Sequence, residues 1–340
     1  MTKSKTNRYL LTASACALFL LVLELGFNCL VDPLFFMGGN RITGKGYYMN
    51  ERISVIAFNR HRWPKVDCLI FGSSRSTFLD ASKISGYTCA NIAFSGGLVD
   101  EFAVYARYLK AQGVAPKLVI FGVDNYESSM TLKDVPDFIK NSGNLPGWLT
   151  YYSSLDTLRF SIDALMGLAS PNYYDRNYRK YIGFALRRPG EEHAQDRFYV
   201  NPGLEDAVTA RIPYYQNLCA IFPKARCVGF VPPISTWGIE KALNLGTTPY
   251  LKSMEALAHV FDSFYDFSVL ANPQWDFADS SDGIHFSAKV FDRVAAKIAN
   301  PTSENWGFDV KALAPATYEQ LYNEAAGKAV ADRKLLNQPR

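Results

Sequence analysis

The segment Val66-Asp67-Cys68-Leu69-Ile70-Phe71-Gly72-Ser73-Ser74-Arg75 joins a short apolar run to a turn rich in small polar residues. Six residues, apolar apart from Asp67 and closed by a glycine, fit a strand buried on both faces, which is how a parallel sheet reads in sequence. Cys89–Phe94 ends in Ser95-Gly96-Gly97 and repeats the pattern, as do Leu118–Val123 and Cys227–Val231. Helical periodicity occupies Val99–Gln112, Leu204–Phe222, Tyr250–Phe264 and Ala288–Ala299. Strand and helix in alternation predict an α/β fold built on a doubly wound, mainly parallel sheet in three layers, with its site at the carboxyl ends of the strands.

Three regions fall outside that rhythm. Lys3, Lys5 and Arg8 precede an apolar run from Tyr9 to Leu30, long enough to cross a hydrocarbon core of about 30 Å. Residues 1–31 are therefore expected to be a cytoplasmic basic flank and one transmembrane helix of the inner membrane, with the rest of the chain extracytoplasmic, in the periplasm of a Gram-negative host. Glu24 and Asn28 would sit near its exit end, within reach of the interface. A cleaved signal peptide is the competing reading; it wants a small-x-small site just after the run, and Ala13-Ser14-Ala15 comes too early. Residues 32–63 form a juxtamembrane segment and 64–300 the α/β domain. About 127–200 is longer than one crossover requires, rich in Tyr, Arg and Asn, and reads as an inserted helical cap. Residues 301–340 read as a polar helical tail.

Composition narrows the class. The chain has 340 residues, 48% of them apolar and 20% charged, which excludes a disordered or collagen-like protein. A net charge of +4, from 36 basic and 32 acidic residues without a basic stripe, gives no sign of nucleic-acid binding. Cys219 and Cys227 bracket a helix-to-strand turn and are placed to pair, whereas Cys68 and Cys89 read as packed, unreactive thiols. No CxxC or HExxH spacing points to a metal.

Two segments carry the chemistry. Ser74 follows the first strand, where a strand-to-helix turn exposes a hydroxyl at the sheet edge and backbone N–H groups can hold an oxyanion. Late in the chain, Asp282-Gly283-Ile284-His285 offers an imidazole and a carboxylate on one loop, as a serine nucleophile requires. The other histidines, His61, His193 and His259, have blander settings. Taken singly, Ser74 is also an ordinary turn residue and Asp282 an ordinary helix or Asx cap.

Together these segments resemble the SGNH (GDSL-like) hydrolase superfamily, over about Val66 to Ala299. Its nucleophile turn, usually Gly-Asp-Ser, stands here as Gly72-Ser73-Ser74. The second motif stands as Asn91-Ile92-Ala93-Phe94-Ser95-Gly96, the third, usually Gly-x-Asn-Asp, as Gly122-Val123-Asp124-Asn125, and the fourth as Asp282-Gly283-Ile284-His285. The resemblance implies Ser74, Asp282 and His285 as catalytic residues, an oxyanion hole from the Ser74 and Gly96 N–H groups with Asn125, and Ser73, Arg75 and Asp124 lining the site. Asp124 departs from the pattern, because an ionised carboxylate cannot donate a hydrogen bond. Either Asn125 takes that role or Asp124 has a structural or substrate-binding one.

The Gly-Ser-Ser turn, the membrane anchor and Phe264-Tyr265-Asp266-Phe267-Ser268 look like the membrane-anchored branch associated with acylation of cell-wall polymers and exopolysaccharides. That implies a serine esterase or O-acyltransferase on acyl esters of a cell-envelope glycan, needing no cofactor, with an integral membrane acyltransferase as partner. Arg187-Arg188 and the aromatic run Tyr173–Tyr181 are where a glycan would lie, though such residues are more often packed surface. A second reading, supported by the altered Ser73 and Asp124 positions, is a catalytically reduced member that binds glycan or scaffolds a membrane complex.

Overall fold

The computed structural model describes residues 3–47, 50–124, 135–168, 172–183, 204–280, 282–301 and 306–336. In chain order the helices are α1 (Lys3–Val31), α2 (Glu51–Asn59), α3 (Val99–Ala111), α4 (Asp137–Lys140), α5 (Trp148–Tyr152), α6 (Leu155–Met166), α7 (Leu204–Ile221), α8 (Thr236–Leu245), α9 (Thr248–Ala258), α10 (Trp275–Ala278), α11 (Ala288–Ala299) and α12 (Pro315–Leu336). The strands are β1 (Cys68–Phe71), β2 (Cys89–Asn91), β3 (Leu118–Gly122), β4 (Tyr173–Tyr174), β5 (Lys180–Tyr181), β6 (Arg226–Val231), β7 (Ser263–Asp266) and β8 (Phe308–Asp309).

Six strands form one sheet in the order β2-β1-β3-β6-β7-β8, every pairing parallel except β7 with β8. The fold is α/β. Alternation splits each strand between two cores: Leu69, Phe71, Val119 and Phe121 face one with Phe102, Tyr105 and Leu218 of α3 and α7, while Ile70, Ile120 and Phe230 face the other with Val290, Phe291 and Val294 of α11. Helices on both faces explain why these strands read as unbroken apolar runs. Strand order reverses at β1, so β1 and β3 leave the sheet in opposite senses and open a crevice at their carboxyl ends.

Several expectations change. Tyr250–Phe264 is not one helix: α9 ends at Ala258, and Phe264 lies in β7 with Asp266, buried among Tyr250, Tyr318 and Ser268. The Tyr173–Tyr181 run is a two-stranded antiparallel hairpin rather than a helix, as suits its aromatic residues. Among the described residues of 127–200 it follows the helices α4 to α6. Cys68 and Cys89 are register partners across β1 and β2 and form a disulfide, correcting the packed-thiol reading; Cys219 pairs with Cys227. Strand register, which sets Cys68 opposite Cys89, is invisible in the spacing.

The helix α1 is long and apolar enough to be a membrane anchor or a signal sequence. Its end docks on the body: the buried Asn28 side chain donates to Tyr152 O and accepts from Ser161 Oγ, both at 2.8 Å. Directly after it, the buried Asp32 carboxylate takes the Tyr152 hydroxyl and the N–H groups of Met37 and Gly39. Burial pushes the Asp32 carboxyl above its ordinary range despite these bonds.

Candidate active site

The Gly72-Ser73-Ser74 turn owes its shape to two glycines. Ser76, in the 3₁₀ turn Ser76–Phe78, wedges its side chain between Gly72 and Gly122, and a Cβ on either would collide with its hydroxyl. The close approach lets β1 turn away from β3 at Ser73, which is buried, and leaves Ser74 half-buried at the crevice.

The fourth motif is a tight loop. Gly283, at φ +86°, takes the left-handed conformation and donates to Ser280 Oγ, while Ser280 bridges to Phe286. Asp282 Oδ1 accepts from the N–H groups of Ile284 and His285, so the carboxylate caps its own loop. Its other oxygen meets His285 Nδ1 at 2.6 Å, and His285 Nε2 lies 2.8 Å from Ser74 Oγ. A serine, an imidazole and a carboxylate, 211 residues apart between Ser74 and His285, thus form one relay. Burial acts to raise the Asp282 carboxyl, but the His285 ring bond and charge and the two backbone donors outweigh it and hold it below the ordinary range. In a neutral imidazole, donation of Nδ1–H to Asp282 leaves Nε2 as the acceptor facing Ser74 Oγ.

Asp124 and Arg75 are buried beneath the Ser74 turn. Their side chains are 0% and 1% exposed and pair at 2.8 Å, while Ser73 Oγ donates to the second Asp124 oxygen. Arg75 also donates to Pro232 O, Pro233 O and Ile284 O. One guanidinium therefore ties the ends of β1, β3 and β6 to the His285 loop, a clamp that a planar fork of five N–H donors can make and an ammonium cannot. Asn125 lies outside the described residues, as do Arg187 and Arg188.

Phe94 N–H donates to Gly72 O, which brings the Ser95-Gly96 turn alongside the Gly72-Ser73-Ser74 turn, with Gly96 left-handed at φ +61°. Among the described residues neither the Ser74 nor the Gly96 N–H meets an acceptor, as an oxyanion hole requires. The Asn91 amide donates to Ser76 O and Leu79 O and so fixes the 3₁₀ turn.

Sequence reasoning passed over two residues here. Glu51 of α2 accepts from the Ser95 N–H and hydroxyl, and Lys180 of β5 donates to the same hydroxyl and to Glu51. Both side chains are almost wholly buried, and Tyr174 adds its hydroxyl to Glu51. Burial pulls the Lys180 ammonium below its usual range, with Glu51 opposing. Lys180 lies 5.6 Å from the ring centre of Phe78, which itself packs 6.1 Å from His285. A lysine in a Tyr-rich run and a glutamate after Asn50 carry no local signal of this meeting.

Beside the site, a cleft of about 540 Å³ opens along the outer edge of β2, lined by Arg62, Asp80, Asn91, Asn177, Arg179 and Tyr181 among others, without Ser74 or His285. Among the described residues no three His, Cys, Asp or Glu side chains are grouped to hold a metal. Compared with family models, with curated proteins and with solved structures, the chain matches none.

Proposed function

We propose that this protein is an SGNH-type serine esterase or O-acyltransferase, held at a membrane by α1, that acts on acyl esters of a cell-envelope glycan. The Ser74–His285–Asp282 relay at the carboxyl edge of a parallel sheet carries the reading. His285 Nε2 removes the Ser74 proton as Oγ attacks the ester carbonyl. The N–H groups of Ser74 and Gly96 receive the oxyanion, and the imidazolium, held by Asp282, returns the proton to the departing alcohol oxygen. Water or a sugar hydroxyl then attacks the acyl-serine, His285 again taking its proton, and regenerates Ser74.

Two disulfides favour an oxidising compartment for the α/β domain, in keeping with a periplasmic placement. An integral membrane acyltransferase as partner remains part of the proposal through the resemblance alone. Asp124, committed to Arg75 and Ser73, does not serve the oxyanion, so the third donor of the proposed hole is Asn125, beside the Ser74 and Gly96 N–H groups; loss of one such donor costs about 2.7–4 kcal/mol in a well-studied hydrolase.

The test is labelling of the detergent-solubilised chain by a serine-directed alkyl phosphonate, read by intact mass. One adduct on the wild type, absent from Ser74→Ala and His285→Ala, is expected. A folded wild type that takes no adduct, beside a serine esterase that does, refutes the enzyme reading and leaves the glycan-binding scaffold.

A further inference from the structure

The helix α6 is inside out. Its inward arc is small and polar, Thr157, Ser161 and Ala164, all buried, and Ser161 hydrogen-bonds Asn28 of α1. Its outward arc is Leu155, Leu158, Ile162, Leu165 and Met166, at the i, i+3, i+7 spacing of one helical face. Leu155 is 76% exposed and Met166 66%, and Leu168 just beyond is 66% exposed. A water-facing helix of a globular protein shows the reverse pattern, whereas small residues and interhelical hydroxyl–amide bonds are how helices pack in lipid.

Position along α1 identifies what covers this face. Ser161 meets α1 at Asn28, while Leu158 shares a groove with Leu20, Leu21 and Glu24. At 1.5 Å per residue those residues lie roughly 6–12 Å back along the apolar span from Asn28. The amino-terminal half of α6 therefore runs beside the span itself, and its exposed leucines continue the apolar surface of α1. Its charges, Asp156, Arg159 and Asp163, form a separate flank, with Arg159 and Asp163 3.8 Å apart, as a helix lying at a headgroup boundary requires. Glu24, the one acid of α1, sits in the groove between the two helices.

We infer that α6, with Leu149 of α5, is an interfacial element that buries its outward face among lipid acyl chains, so that the body is seated on the bilayer by α1 and α6 together. The inference rests on α1 being a retained anchor. It is tested on the full chain, in a Cys16→Ala/Cys29→Ala background that leaves only disulfide-bonded cysteines, reconstituted in phosphatidylethanolamine/phosphatidylglycerol vesicles carrying doxyl-labelled lipid. Single NBD-labelled cysteines are placed by Leu155→Cys and Ile162→Cys, by Met166→Cys should either fail to fold, by Leu21→Cys in the span, and by Leu245→Cys at the exposed end of α8. Expected is blue-shifted emission and doxyl quenching at 155 and 162 matching that at 21, with none at 245. Quenching at 21 with water-like emission at 155 and 162 overturns the inference while sparing the anchor, and makes a protein partner the occupant of that face. Water-like emission at 21 as well removes the anchor and the inference together.

Discussion

Replacing Arg75 by methionine isolates the clamp that holds the crevice. The substitution keeps apolar volume but leaves the Asp124 carboxylate, 0% exposed, with Ser73 Oγ as its remaining described hydrogen-bond donor, and strips the carbonyls of Pro232, Pro233 and Ile284 of a donor. Breaking a buried ion pair from one side costs about 3–5 kcal/mol, and each orphaned buried carbonyl adds about 1–3 kcal/mol where water cannot reach it. These contributions overlap, so Arg75→Met is expected to lose at least about 4 kcal/mol, a large share of the roughly 5–15 kcal/mol that domains hold. Asp124→Leu alone strands the guanidinium and should cost a similar amount. The double variant Arg75→Met/Asp124→Leu removes both charges and should recover several kcal/mol of the summed loss, the signature of direct coupling. Urea unfolding followed by tryptophan emission measures all three, and phosphonate labelling at Ser74 reports whether the crevice survives. A loss below about 1 kcal/mol for Arg75→Met, or additivity in the double variant, would refute the clamp.

Three further outcomes follow from the same contacts. Glu51→Gln and Lys180→Met each loosen the Ser95-Gly96 turn, so phosphonylation of Ser74 should slow by about 10²-fold or more, the scale of one oxyanion donor, while Glu51→Gln/Lys180→Met is more stable than Lys180→Met alone; unchanged labelling rates would sever that turn from the hole. Burial raises the Asp266 carboxyl against the bonds from Tyr318, Ser268 and Tyr250, so its contribution to stability is fully present below the unfolded value of about 3.9 and is lost as pH rises through the raised folded value. The wild type should therefore lose stability relative to Asp266→Asn as pH rises from about 4, and a difference in urea midpoint that stays constant as pH rises contradicts this. Opening the Cys68–Cys89 link, which spans 21 residues, by Cys68→Ala/Cys89→Ala should cost about 3 kcal/mol under oxidising conditions and nothing once the wild type is reduced.

The reading of β1, β3 and β6 from sequence succeeded because strands buried on both faces are apolar end to end, and the meeting of Ser74, Asp282 and His285 was legible because a serine–imidazole–carboxylate relay demands particular chemical groups at turns. β7 was hidden because Phe264 continues the apolar spacing of α9, and only the sheet beside it decides between helix and strand. The Cys68–Cys89 link depends on register, and the Glu51–Lys180 pair joins residues 129 apart through a hairpin that sequence reading took for helix. The role of Arg75 was under-read for the same reason. Its partners Asp124, Pro232 and Ile284 meet only once three strands have ended at one level.

Asp32 has a consequence of a different kind. It follows the last residue of α1 and is at once locked to Tyr152, Met37 and Gly39, so no slack separates the apolar helix from the folded body. In a bilayer such a joint makes Ser74 a fixed station rather than a hook on a line, swept sideways at one height above the lipid. Under the proposed function its encounters would be set by lateral diffusion and by the height at which an ester is presented, and a flexible glycine-serine spacer inserted after Val31 would change which esters it meets without altering one atom of the relay.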